Sequence, residues 1–260
     1  MTIERDADAA APPHDRRPGG VRVPAERTGR DAPPSDRAVA DGAVSDGFGT
    51  GGPAADDELT VGVGPWAGPW PSGDHYDPEL LAAGDRRNVV DRYRYWRHAA
   101  IVADLDTRRH DFHVAIENWQ HDFNIGTVVR TANAFLAAEV HIVGRRRWNR
   151  RGAMVTDRYQ HVRHHDAIEP FAAWAHGAGL AVIGIDNLPG SLPLETTTLP
   201  RHCVLLFGQE GPGLSEAARA ACDRMYSIAQ YGSTRSVNAG VASAVAMHAW
   251  IRAYAGPPPA

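Results

Sequence analysis

From Phe112 to Tyr254 short apolar runs alternate with stretches of helical periodicity, and this alternation limits the possible folds more than any other feature of the chain. The runs predict strands over His113 to Glu117, Glu139 to Val143, Leu180 to Ile185, Cys203 to Phe207 and Arg224 to Ala229. Between and after them, helices are predicted over Gly126 to Leu136, Ala167 to Ala178, Leu214 to Cys222 and Val237 to Tyr254. Strand and helix in turn imply an α/β fold, a parallel sheet with helices on both faces. Cys203-Val204-Leu205-Leu206-Phe207 is apolar at every position, as a strand covered on both faces must be, so it belongs at the sheet's centre.

The flanking sequence differs. Residues 1–60 are rich in Ala, Asp, Arg, Gly and Pro without periodic apolar positions, and are expected to be a disordered acidic tail because burial there does not offset ordering entropy. Of the 27 Arg and 31 acidic residues the tail holds 7 and 12, so the rest of the chain carries 20 and 19 and is nearly neutral. Such a body binds a polyanion only where its cations cluster. Residues 61–110 read as a Gly, Pro and Trp linker followed by a helical extension that opens at Asp77-Pro78-Glu79. Residues 111–260 form the main domain.

No Lys is present, so Arg abundance reflects a composition bias, but the cluster Arg145, Arg146, Arg147, Trp148, Asn149, Arg150 and Arg151 is a matter of placement. Arg16-Arg17 is not followed by an apolar run of export-signal length, and Ala239 to Ile251 is too short to span a bilayer. A cytoplasmic protein with reduced Cys203 and Cys222, and no membrane partner, is expected.

Three segments interrupt the regular pattern with polar and glycine residues. Asn124-Ile125-Gly126 opens a helix and places Arg130 on its second turn, where a cation opposes the macrodipole unless an anion is near. Phe207-Gly208-Gln209-Glu210-Gly211-Pro212-Gly213-Leu214 follows the apolar strand as a glycine-rich turn with bare N–H groups. Ser236-Val237-Asn238 precedes the closing helix, with Ser236 as the expected N-cap. Singly, these read equally well as a capped helix, a tight turn and another cap.

Together, in this order, they resemble the three motifs of the SpoU/TrmH family of RNA ribose 2′-O-methyltransferases of the SPOUT superfamily. Asn124, Gly126 and Arg130 match the first motif; Phe207, Gly208, Glu210, Gly213 and Leu214 the second; Ser236 and Asn238 the third. The resemblance, over about Asp111 to Tyr254, implies a C-terminal trefoil knot, S-adenosylmethionine as cofactor, RNA (tRNA or rRNA) as substrate and an obligate homodimer in which the partner's Arg130 side completes each active site. It implies catalytic roles for Arg130, Asn124, Glu210, Ser236 and Asn238, with Asn124 and Glu210 holding the Arg. Cofactor contacts would come from Phe207, Gly208, Gly213, Ile228 and Val237. Val241, Val245 and Trp250 would suit an interface or, equally, the core of one chain.

The Arg145–Arg151 cluster is the candidate RNA surface, with Trp148 for base stacking and a solvated Arg loop as the plain alternative. His161, His164 and His165 read as a polar loop; methyl transfer needs no metal, and none is expected. Two other classes are weighed: a non-catalytic RNA-binding relative, against which all motif residues stand, and a nucleotide-dependent oxidoreductase. The latter lacks a Gly-x-Gly-x-x-Gly after the first strand and an acidic ribose ligand beyond it.

Overall fold

A computed structural model describes residues 62–119 and 124–257. The expected tail lies outside the described residues. The extension begins with α1 (Pro78–Ala83), capped by the Asp77 side chain, which accepts from the Glu79 N–H at 2.9 Å. A single 3-10 turn (Asp91–Tyr93) and α2 (His98–Asp106) follow. The main domain then runs β1 (Phe112–Asn118), α3 (Asn124–Ala134), β2 (Val140–Gly144), β3 (Val162–His165), α4 (Ile168–Gly177), β4 (Ala181–Ile185), β5 (Leu192–Pro193), β6 (Cys203–Phe207), α5 (Glu216–Ala221), β7 (Arg224–Ser227) and α6 (Ala239–Tyr254).

Among the described residues these strands form one parallel sheet in the order β3-β2-β1-β6-β4-β7-β5. Strand alternation sorts the side chains into two cores. On one face Phe112, Val114, Ile116, Leu205 and Phe207 pack under α3 and α6; on the other Ala115, Val143, Val204 and Leu206 pack under α4 and α5. Every residue of β6 is buried, in keeping with its apolar run and central place.

The closing helix is anchored within its own chain. Trp250, 1% exposed, packs its ring 4.6 Å from Phe112 and donates from Nε1 to the Arg201 carbonyl at 2.9 Å. A fully buried side chain of this size stabilises the fold by roughly 2–3 kcal/mol or more. Trp250 is therefore core, which corrects its expected share in an exposed face; Val237, Val241 and Val245 remain exposed.

Sequence periodicity misses α2, β3 and β5. Val162-Arg163-His164-His165 carries one apolar residue, yet it pairs with β2 from Val140↔Val162 to Val143↔His165, so the expected polar loop is a strand at the sheet's edge. Backbone pairing supplies what its side chains do not.

In the extension, Trp66 stands edge-on to Tyr95 at 5.3 Å, and Tyr95 donates to the Gly64 carbonyl at 2.6 Å, so the aromatics of the Gly/Pro segment dock nearby. Asp85 is fully buried there. Burial alone raises its pKa, but hydrogen bonds from the Arg87 side chain and from the N–H groups of Arg87 and Tyr95 outweigh that and hold it at about 2. Burial pushes the thiols the other way, Cys203 and Cys222 both to about 12. Neither forms thiolate near neutral pH, so a thiol-disulfide reagent at pH 8 should label neither in the native protein and both after unfolding.

Candidate functional site

The sheet changes direction between β1 and β6: β2 and β3 lie outward on one side, β4, β7 and β5 on the other. In open parallel sheets the crevice beyond the carboxyl ends at such a point receives ligands, because connections leave it in opposite directions. Asn124 follows β1 across a short connection and Glu210 follows β6, so topology alone brings two motif residues to this crevice.

There the three motif segments are joined by hydrogen bonds. Asn124 Nδ2 donates to Glu210 Oε2 at 2.7 Å, and Asn238 Nδ2 donates to Asn124 Oδ1 at 2.9 Å and toward both Glu210 oxygens at 3.4 Å. The Asn238 Oδ1 accepts from the N–H groups of Gly240 and Val241, so Asn238 is the N-cap of α6. Ser236, expected in that role, lies farther out and lines the cavity instead.

Beside this triad opens a cavity of about 360 Å³. All five predicted cofactor contacts line it: Phe207, Gly208, Gly213, Ile228 and Val237. Glu210, Ser236 and Asn238 line it too, whereas Asn124 and Arg130 do not. Sequence reasoning misses Asp186 and Asn187, which line it and hold its walls. Asp186 Oδ2 accepts from the Leu214 N–H at 3.1 Å; Asn187 Oδ1 accepts from the Ile228 N–H and Asn187 Nδ2 donates to the Arg235 carbonyl. Their signal is a polar pair directly after an apolar strand.

The bareness of Gly208 serves the loop itself. A Cβ there would sit 2.0 Å from Gly213 C and 2.2 Å from Leu214 N. The turn closes across it through the paired Gln209–Gly213 backbone bonds, with Gly213 at φ +70°. Behind the turn, Glu117, 0% exposed, accepts from the Trp119 indole at 2.8 Å and from the Ser215 N–H at 2.8 Å, fixing the start of α5. Gly126 likewise has a local cause: its Cβ would meet Gly152 Cα and Ala153 N at 2.7 Å.

Arg130 is exposed on α3 in a stripe with Thr127 and Ala134. Among the described residues it has no hydrogen bond or ion pair, and Asn124 and Glu210 of the same chain bond to each other and to Asn238 instead. The Arg cluster leaves β2 at the same carboxyl edge as the cavity. Asn118, at the end of β1, donates to the carbonyls of Arg145 (2.7 Å) and Arg147 (2.9 Å). Arg145, Arg146, Arg147, Arg150 and Arg151 are exposed, and among them only Arg150 is ion-paired, to Asp157 at 3.3 Å. Trp148 is half-buried against the core with the Arg150 guanidinium 5.5 Å from its ring centre, and it lines a second cavity with Arg146 and Arg150.

Comparison with known proteins places the chain's family and fold. The SpoU rRNA Methylase family matches residues 111–248, more than half of the chain. A tRNA (guanosine(18)-2′-O)-methyltransferase of Escherichia coli (strain K12) is 28% identical over 155 residues, covering 58% of this chain and 68% of that protein. An uncharacterised tRNA/rRNA methyltransferase of Mycobacterium sp. (strain KMS) is 34% identical over 141 residues, 52% of this chain but only 44% of the relative. Among solved structures, the TrmH/SpoU tRNA modifying enzyme of A. aeolicus superposes with a TM-score of 0.54 at 19% identity, covering 60% of this chain and 81% of that one, a likeness of fold. The SpoU methyltransferase AviRb of Streptomyces viridochromogenes, in complex with AdoMet, gives 0.51 at 25% identity, covering 58% and 60%. By the extent of the family match, the chain belongs to the SpoU rRNA methylase family.

Proposed function

We propose that this protein transfers the methyl group of S-adenosylmethionine to a ribose 2′-hydroxyl of structured RNA, either tRNA or rRNA. The observation that carries this reading is the bonded triad of Asn124, Glu210 and Asn238, one residue from each motif, at one cavity of a family member. The E. coli relative is by name a 2′-O-methyltransferase of tRNA guanosine 18, and AviRb holds AdoMet.

The cavity suits the cofactor chemically. Its volume of about 360 Å³ falls in the range of small-molecule sites. Phe207, Ile228, Val237 and Ala242 offer apolar surface for a base, and Gln209, Gln230, Asn187 and loop backbone offer donors and acceptors for the polar groups. When bound, S-adenosylmethionine supplies a methyl group on a sulfonium, ready for in-line displacement by the 2′-oxygen.

The chain's own residues then position the ribose and manage the hydroxyl proton. A free guanidinium with a pKa above about 12 is a poor base. Arg130 therefore clamps the phosphate beside the target ribose and stabilises the developing alkoxide, with phosphate or solvent taking the proton. Asn124, Glu210 and Asn238 keep the motif loops in register, and Ser236 orients the ribose.

Arg130 is absent from its own chain's cavity, which supports a homodimer in which each Arg130 serves the partner's site. The exposed Val241 (52%) and Val245 (40%), one turn apart on α6, supply apolar surface for that contact. The knot is part of the same reading: α6 packs against α3 and β6, although β7 before it lies beyond β4. Among the described residues no helix is long and apolar enough to cross a membrane, in keeping with a cytoplasmic enzyme.

Calorimetric titration tests the cofactor assignment: S-adenosylmethionine should bind and a nicotinamide dinucleotide should not, and the reverse would refute it. The Arg cluster, following the cavity along one edge, is assigned to RNA phosphates. Replacing Arg146 and Arg147 with Ala should weaken RNA binding and lower the slope of log K against log salt by about 1 for each phosphate no longer bound. An unchanged slope removes the cluster from the RNA surface.

A further inference from the structure

Across the same strands, on the α4 face, runs a histidine cluster that methyl transfer does not use. His113 in β1, His141 in β2 and His165 in β3 form a diagonal row under α4. His113 Nδ1 faces His141 Nε2 at 3.0 Å, and His141 Nδ1 faces His165 Nε2 at 3.0 Å. Just before β2, Glu139 turns one carboxylate oxygen toward this row, Oε2 lying 3.8 Å from His141 Nε2.

We propose that His113 Nδ1, His141 Nε2 and Glu139 Oε2 bind a zinc ion that ties β1 to β2. The three atoms lie within 4.8 Å of one another. Tetrahedral zinc at about 2.0–2.1 Å from each ligand requires ligand atoms roughly 3.3–3.4 Å apart, and the observed 3.0 and 3.8 Å bracket that value. Binding draws His113 and Glu139, whose ligand atoms lie within 4.8 Å, to the tetrahedral spacing around the ion.

The surroundings prepare these atoms for a metal. Ligating His residues usually donate their second nitrogen to a partner, which fixes the tautomer and the ring plane. His165 Nε2 stands where it accepts a proton held on His141 Nδ1, so His141 Nε2 accepts from His113 Nδ1, and the ion takes the place of that proton between the two nitrogens. The second Glu139 oxygen, Oε1, accepts from Arg163 Nε at 2.9 Å, which orients the carboxylate and leaves Oε2 for coordination. Trp174 lies over the His141 ring at 4.2 Å and restricts its rotation. On binding, the His113 proton moves from Nδ1 to Nε2, so Nδ1 ligates and no net proton is released. His113 and Glu139 are only partly buried, which gives an entry path and room for water as a fourth ligand.

This trio is not the one sequence spacing singles out, and it reverses the expectation of a metal-free protein. His161 bonds to Asp106 at 2.9 Å and His164 to the Gly144 carbonyl at 2.6 Å. The test uses the full chain freed of metal with a chelator and titrated with Co²⁺ as a spectroscopic stand-in for zinc. Visible d–d absorption of tetrahedral intensity should appear, disappear on adding Zn²⁺, and accompany quenching of tryptophan fluorescence. Glu139→Gln and His113→Gln should each weaken Co²⁺ binding about tenfold or more. His164→Gln, outside the trio, should leave it unchanged. No visible band, or equal affinity in wild type and both ligand variants, overturns the site; circular dichroism checks that each variant is folded. None of these readouts depends on S-adenosylmethionine or RNA, so the site stands or falls apart from the methyltransferase reading.

Discussion

Arg130→Ala should lower the rate of RNA methylation by about 10²–10³-fold or more, while S-adenosylmethionine affinity stays within a few-fold. The split follows from position: Arg130 does not line the cavity and, among the described residues, has no partner, so its removal leaves the cavity loops untouched. A rate measured at saturating cofactor, beside a binding isotherm, checks both halves. The proposed action in trans adds a sharper result. Mixing Arg130→Ala with a variant whose cavity is disabled should restore about a quarter of wild-type activity, because half of randomly mixed dimers then carry one complete site. Action within one chain predicts no rescue.

Gly208→Ala should have the second large effect, for a different reason. Its methyl group would overlap the backbone of Gly213 and Leu214 at 2.0–2.2 Å, where no side chain is able to swing away. The turn must open, which loosens the Gln209–Gly213 pair, the Leu214–Asp186 bond and the Ser215–Glu117 bond. Overpacking of this kind costs about 1–3 kcal/mol, and the same displacement moves Glu210 off Asn124 and Asn238. Thermal unfolding should show the loss of stability, and calorimetry a drop in S-adenosylmethionine affinity of about tenfold or more. Gly211→Ala is the control. It has open space around its Cβ and only the cost of φ +93°, about 1–2 kcal/mol, so cofactor binding should survive.

Much of this arrangement is legible in the amino-acid sequence. Cys203 to Phe207 is placed residue for residue because a run apolar on both faces admits one location, the centre of a covered sheet. Asn124, Glu210 and Asn238 stand out together by order and spacing, and they do meet. Other residues are misread where sequence position does not encode direction. Ser236 and Asn238 are both good caps, and only the start of α6 at Ala239 decides for Asn238. Trp250 fits an outer or an inner face of the last helix; its contact with Phe112 settles it as core. Trp148 sits in an Arg-rich loop, and its half-buried packing against the core is not encoded by that position. His113, Glu139 and His141 are invisible as a group in the sequence because strand pairing, not sequence proximity, brings them together. The motif glycines suggest ligand access, whereas Gly126 and Gly208 are first required by neighbouring backbone.

The central claim is transfer to ribose oxygen, and one measurement addresses it directly. RNA extracted from a strain lacking this gene, both tRNA and rRNA, is incubated with the purified protein and S-adenosylmethionine bearing a deuterated methyl group, digested to nucleosides and resolved by mass spectrometry. The label should appear on a nucleoside that loses a methylated ribose on fragmentation, leaving an unlabelled base. Label retained on the base, or none in either RNA despite measured cofactor binding, would contradict the account.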